Sequence, residues 1–230
     1  MMEIMSTALF GVLVTLVAYE IGLYLNRRTG ITMLNPLLVS IVLILVFIRL
    51  TGMSYESYNK GGSLISFFIA PATVVLAVPL YRNLQLLKKN LLPILFGVLF
   101  GSLVNFFSLL VLFRFTDLES RLLFSLLPKS VTTPIGIELS GQIGGIPEIT
   151  VAAIVISGLA GVIFGPLIFR ILKVDDPVAR GVAYGTASHA LGTAKAMEEG
   201  EIQGGMSGLS IGVAGVITAI IVPVLISLFF

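Results

Sequence analysis

Long apolar runs separated by short polar connections dominate this chain. Runs of about 20 residues, enough to cross roughly 30 Å of hydrocarbon as a helix, fall at about 5–25, 33–50, 63–82, 91–113, 148–170 and 206–229. These six predict membrane-spanning helices. Two other stretches, about 120–145 and 178–200, have Gly, Pro, Ser and Thr scattered among apolar positions, with charges inside them. They predict interrupted helical segments. The stretch Met53 to Gly62 is short and polar and predicts an interfacial turn or half-helix. Pro71 and Pro79 interrupt the third run, and Ala70-Pro71-Ala72-Thr73 predicts a further local break. The fold class that follows is all-α, a polytopic transmembrane helical bundle of six full spans plus two re-entrant or broken segments. We expect one domain over 1–230, with scaffold-like helices in 1–115 and two units in 116–230, each a broken helix followed by a span.

The sharpest interruption is Pro128-Lys129-Ser130-Val131-Thr132-Thr133-Pro134. A helix cannot run straight through two prolines. Backbone freed inside hydrocarbon is tolerated only where protein or a water-filled cavity satisfies it. A lysine at that depth is costly and reads as functional by default, although a long side chain can also snorkel to an interface.

Charge bears on how the interrupted segments sit. If both return to the side they came from, with the N-terminus outside, then Arg27, Arg28, Arg82, Lys88, Lys89, Arg170, Lys173 and Arg180 all fall in cytoplasmic loops. Arg49, Lys60, Arg114 and Arg121 stay outside, in line with the positive-inside tendency. Full crossings would reverse that bias. A weak internal repeat agrees with re-entrant segments: Lys129-Ser130, Glu138 and Gly144-Gly145 precede one long span, and Ser188-His189, Glu198-Glu199 and Gly204-Gly205 precede the next. Each unit reads as a broken segment, a Gly-Gly turn and a span. Inverted repeats with broken helices meeting near the midplane are a transporter signature.

Composition narrows the function classes. Hydrophobic residues make up 57% and charged residues 11%, against about 25% charged in soluble domains. The first run is longer than a signal-peptide core and lacks a basic region before it, which predicts a retained span. There are no cysteines and one histidine, so thiol chemistry, disulfides and a metal centre are not expected, nor is any cofactor. A net charge of +2 gives no footing for nucleic acid. The expected setting is a cell (inner) membrane, as a multi-pass protein and a homo-oligomer, a dimer.

The candidate chemistry sits in the two breaks. Ser130, Thr132 and Thr133 bring hydroxyls, the helix resuming near Pro134 brings free N–H groups, and Lys129 brings a cation. Together these suit a small carboxylate; the hydroxyls can equally cap the broken helix. Glu138 lies about one turn beyond Pro134 and is a candidate to carry a coupling proton or to pair with Lys129. In the second break Ser188, His189 and Thr193 are substrate-binding candidates, and His189 is the other proton-coupling candidate. Lys195, Glu198, Glu199 and Glu201 read as a solvated helix end and turn. Gly158, Gly161 and Gly165, and Gly204, Gly208, Gly212 and Gly215, are spaced for close helix approach. No catalytic residue is assigned: Ser188 and His189 are adjacent and point about 100° apart on a helix, which is not a nucleophile–base geometry.

Three segments carry a resemblance to a known family: Leu126 to Thr150 (LLPKSVTTPIGIELSGQIGGIPEIT), Asp175 to Glu201 (DDPVARGVAYGTASHALGTAKAMEEGE) and Ala70 to Asn83 (APATVVLAVPLYRN). In these the chain resembles the LrgB/CidB family of bacterial membrane proteins. The resemblance implies two functions. One is an antiholin-like role in murein hydrolase export and autolysis, with a separate LrgA/CidA-type membrane partner. The other, by similarity to the plastid glycolate/glycerate translocator and to relatives linked to pyruvate uptake, is transport of small monocarboxylates. The paired breaks with a lysine and a histidine favour transport.

Overall fold

In a computed structural model, residues 7–31, 34–68, 71, 74, 77–82, 84–116 and 118–230 are described. Among them there are helices and no strands, as expected for an all-α membrane protein. The chain forms two compact units, Met1–Val75 and Leu76–Phe230.

The N-terminal unit holds α1 (Ala8–Thr29), α2 (Pro36–Thr51) and α3 (Tyr55–Phe67). Thr7 caps α1, and Gly30, at φ 64°, ends it in the left-handed conformation that glycine adopts without penalty. Helices α1 and α3 touch backbone to backbone: a Cβ on Gly11 would lie 2.6 Å from the Tyr58 carbonyl. In lipid, where apolar burial gives little drive between helices, such close approach is what holds a pair together. Of the interfacial turn or half-helix expected for the polar stretch, the structure has a short helix: the stretch starts α3, and Ser54 caps the Ser57 N–H at 3.2 Å. Of the span expected at 63–82, α3 covers the start as far as Phe67 and a helix from Ala77 to Arg82 covers the end, and most of the stretch between them lies outside the described residues. Most of the Ala70–Thr73 break lies outside the described residues.

The C-terminal unit contains α4 (Ala77–Arg82), α5 (Leu84–Lys89), α6 (Leu91–Arg114), α7 (Ser120–Leu126), a 3₁₀ turn (Leu127–Ser130), α8 (Thr133–Gln142), α9 (Pro147–Leu172), α10 (Pro177–Glu199) and α11 (Glu201–Phe229). Helices α1, α6, α9 and α11 are long and apolar enough to cross a membrane, and α2 is a shorter apolar helix. Five of the six expected spans are thus found among the described residues, four of full length and one shorter; the span expected at 63–82 lies partly outside them.

Both interrupted segments fold back on themselves. In the first, α7 and the 3₁₀ turn run inward, and α8 returns. The mouth is tied by Ser125, whose hydroxyl accepts the Ile146 N–H at 2.7 Å and whose carbonyl accepts the Thr150 hydroxyl at 2.8 Å. Thr150, fully buried, also pairs with the Ser140 hydroxyl at 2.7 Å, and with its own proton on Ser125 it accepts there. The chain turns from α8 into α9 at Gly144, at φ 83°. Around this hairpin Phe106, Leu109 and Leu110 of α6 and Val222 of α11 form the apolar core.

The second hairpin is α10, whose helical geometry fails at His189. Its arms are 177–188 and 190–199. Tyr184 and Glu199, 15 residues apart, would be separated by about 22 Å along a straight helix. Instead the Tyr184 hydroxyl donates to Glu199 Oε1 at 2.7 Å. The arms must therefore be antiparallel. Their turn into α11 is at Gly200, and the expected Gly204-Gly205 turn is corrected: both glycines lie inside α11. Gly204 is needed there because its Cβ would meet Met197 Cα at 3.2 Å.

The two hairpins have opposite senses. The first opens at the Pro147 end of α9, and the second at the Leu172 end, where Tyr184 lies against Gly165 and Ser188 against Gly161. Basic residues gather at the Leu172 end: Arg170, Lys173 and Arg180, with Arg82 paired to Glu201 at 3.5 Å.

Candidate functional site

The tips of the two hairpins reach the same level of α9. The Ser157 hydroxyl donates to the Lys129 carbonyl at 2.8 Å. The His189 ring bonds through Nε2 to the Ile154 carbonyl at 3.0 Å, and its ring edge faces Gly158. Residues 154–158 span about 6 Å of helix axis, and Ser157 is about 15 Å in from Pro147. That is about half of the roughly 30 Å that a hydrocarbon core measures.

Lys129 is steered by α6. Its ammonium donates to Asn105 Oδ1, while Asn105 Nδ2 donates to the Leu127 carbonyl at 3.0 Å. One amide thus braces both the lysine and the turn that carries it. Beyond the turn, Val131 is extended and Thr132 is the N-cap of α8, but its side chain makes no cap hydrogen bond. Pro134 supplies no N–H, so the first-turn N–H groups of Thr133 and Ile135 point out of the helix end unbonded by a cap. Ser130, Thr132 and Thr133 are half-buried, and among the described residues their hydroxyls make no hydrogen bond. Cation, hydroxyls and helix end are thus brought together.

His189 sits at φ 43° and ψ −128°, a conformation glycine tolerates and a side chain resists. Holding a non-glycine residue there costs on the order of 1–3 kcal/mol, and such strain gathers at functional sites. A carbonyl can only accept, so Nε2 carries the proton toward Ile154 and Nδ1 is the nitrogen left to exchange one. The geometry separates two variants. His189→Gly should unfold at a higher temperature than His189→Ala by the equivalent of about 1 kcal/mol, while both lose whatever the ring does. Equal melting midpoints in detergent would argue against backbone strain.

The other expected residues divide. The Ser188 hydroxyl is buried at the second tip without a partner. Thr193 is engaged by the protein itself, bonding the His189 carbonyl at 3.1 Å and Ser207 at 2.7 Å, which ties the tip to α11. Glu138 is not brought to Lys129. It is exposed, accepts from Gln142 at 2.9 Å, and faces a groove shared with Pro134, Ile135 and Ala219.

Three residues outside the expected site shape it. Asn105 could have been noticed as an amide in the middle of an apolar run. Tyr184 and Glu199 lock the arms of the second hairpin; Glu199 Oε2 lies 4.0 Å from the Arg180 guanidinium without a hydrogen bond. Hydrogen bonds to charged groups contribute about 1.5–3 kcal/mol. Tyr184→Phe should destabilise the protein by that order, read as a lower melting midpoint, and an unchanged midpoint would mean the lock is idle. Alongside the site, a cavity of about 480 Å³ is lined by α6 and the 177–188 arm.

Comparison with known proteins agrees with this architecture in extent. The profile of the LrgB-like family matches residues 15–228. The antiholin-like protein LrgB of Bacillus subtilis (strain 168) is 37% identical over 228 residues, covering 99% of both chains. That of Bacillus cereus (strain B4264) is 37% identical over 218 residues, 94% of this chain and 95% of the relative. No solved structure matches significantly. With the match running through both hairpins and the helices between them, the chain belongs to the LrgB-like family.

Proposed function

We propose that the chain is a membrane carrier for small monocarboxylates of the glycolate, glycerate or pyruvate type. The observation that carries this reading is the meeting of two opposed hairpin tips at residues 154–158 of α9. Helix ends that point into a membrane interior are suited to hold a charged solute that must later leave. Lys129 and the unbonded N–H groups at the start of α8 take the carboxylate. Ser130, Thr132 and Thr133 read the oxygen on the neighbouring carbon, and Ser188, packed against Gly161, lines the path. His189 carries a coupling proton at Nδ1, and Glu138, on the outer face, is the less suited of the two candidates. The basic Leu172 end of α9 faces the cytoplasm, by the positive-inside tendency, with the N-terminus outside. The test is uptake of labelled two- and three-carbon acids by reconstituted vesicles under an imposed pH gradient. Transport of at least one such acid is expected; none across the panel, with or without an LrgA-type partner, would sink the reading.

A second reading is supported by the name of the relatives. As an antiholin-like protein, the chain would control an LrgA/CidA-type membrane partner without a solute of its own. In that case Lys129→Met and His189→Ala leave lysis control intact in folded protein, whereas changes to the glycine faces abolish it. The carrier reading expects the reverse order of sensitivity for solute uptake.

A further inference from the structure

We propose that the cavity between α6 and the 177–188 arm of α10 is the route by which a small anionic solute reaches Lys129 from the basic end of the unit. The inference rests on the carrier reading and adds its access path. The two helices run parallel, with Gly97 opposite Val182 and Gly101 opposite Thr186. The cavity between them extends from Asn90 and Asp176 at the basic end to Gly101 and Ala187, a depth of about 16 Å.

Three features make it a path toward the site rather than a seam. Gly97, Gly101 and Asn105 recur every fourth residue, so they share one face of α6. Gly97 and Gly101 line the cavity where α6 touches Val182 and Thr186, and the same face carries, one turn deeper, the amide that holds Lys129. On the opposite wall the Thr186 hydroxyl is buried without a hydrogen-bond partner, and a polar atom so placed ordinarily has one. Finally, Lys88 and Lys89 immediately precede Asn90 at the mouth, where like-signed charge raises the local concentration of an anion. The one acid on the wall, Asp176, caps its own helix by accepting the Ala179 N–H at 2.7 Å.

The absence of native cysteine makes the route directly testable. Single Ala183→Cys and Ala187→Cys proteins, reconstituted in vesicles, would be exposed at the basic face to a charged, membrane-impermeant methanethiosulfonate. Both should be modified, pyruvate should slow modification of Ala187→Cys, and uptake of labelled pyruvate should be lost afterwards. Uptake before modification shows that each variant is folded, and Ala183→Cys serves alone if Ala187→Cys fails that check. Modification only by a lipid-soluble maleimide, as expected for an Ile156→Cys control on the exposed side of α9, would mean that lipid or protein fills the cavity and would overturn the route. Full uptake after complete modification would overturn the route while leaving the carrier reading standing. No uptake by unmodified protein would remove both.

Discussion

Lys129→Met should raise the half-saturating concentration of a transported monocarboxylate by roughly 10- to 150-fold. A hydrogen bond to a charged group is worth about 1.5–3 kcal/mol, and each 1.4 kcal/mol is tenfold in affinity. Methionine keeps most of the side chain's bulk, so the loss isolates the ammonium. It also frees Asn105 Oδ1, which now accepts from Lys129, while leaving the Asn105 bond to the Leu127 carbonyl to hold the turn. Arginine is not an adequate substitute. Its planar fork needs more room and different partners than a point cation seated on one amide oxygen. Lys129→Arg should therefore fall nearer to Lys129→Met than to the native protein. Uptake kinetics across the three proteins measure this, and native half-saturation in Lys129→Met would remove the lysine from the site.

The second large effect concerns packing and holds under either functional reading. A Cβ on Gly161 would fall on the Ser188 hydroxyl oxygen and lie 2.9 Å from Ser188 Cβ. The oxygen could swing away, because it has no hydrogen bond to lose, but Cβ is fixed to the backbone. Gly161→Ala should therefore push the second hairpin off α9 at its tip. Overpacking of this kind typically costs about 1–3 kcal/mol, and it displaces His189 from Ile154 as well. Ser188→Gly removes both obstructing atoms. Combined with Gly161→Ala it should recover stability that the separate changes lose, giving a coupling of about 0.5–3 kcal/mol in a double-mutant cycle. Strict additivity of the melting shifts would show that the contact does not form.

Much of this architecture was legible because breaking a helix in a membrane leaves local marks. Two prolines around a lysine identify the first break, and the clustering of Gly, Ser and Thr around His189 identifies the second. The glycine spacing 158, 161, 165 marked a face, and the structure sets His189, Ser188 and Tyr184 against it in turn. Charge balance favoured segments that turn back, and in the second segment the Tyr184–Glu199 bond requires it. What was not legible depends on distant pairing. Asn105 is a single amide in an apolar helix until Leu127 and Lys129 are folded against it. Glu199 read as part of a solvated turn, because nothing local shows that Tyr184 returns to meet it. Glu138 has the right spacing from Pro134 to face the break, yet α8 turns that face outward, toward Gln142 and Ala219. The Gly-Gly pair at 204–205 resembled a turn signal and proved to be a close-contact surface, a distinction set by Met197 and not by the pair itself.

Lys129 and His189 can meet only if both hairpins turn back inside the bilayer, and sidedness measures this most directly. Single cysteines at Lys173, Glu201, Arg121 and Glu148 would be labelled with an impermeant reagent from each face of oriented vesicles. Lys173 and Glu201 should react from one face, and Arg121 and Glu148 from the other. Labelling of Lys173 and Glu201 from opposite faces would mean that α10 crosses the membrane, and the two tips could not form one site.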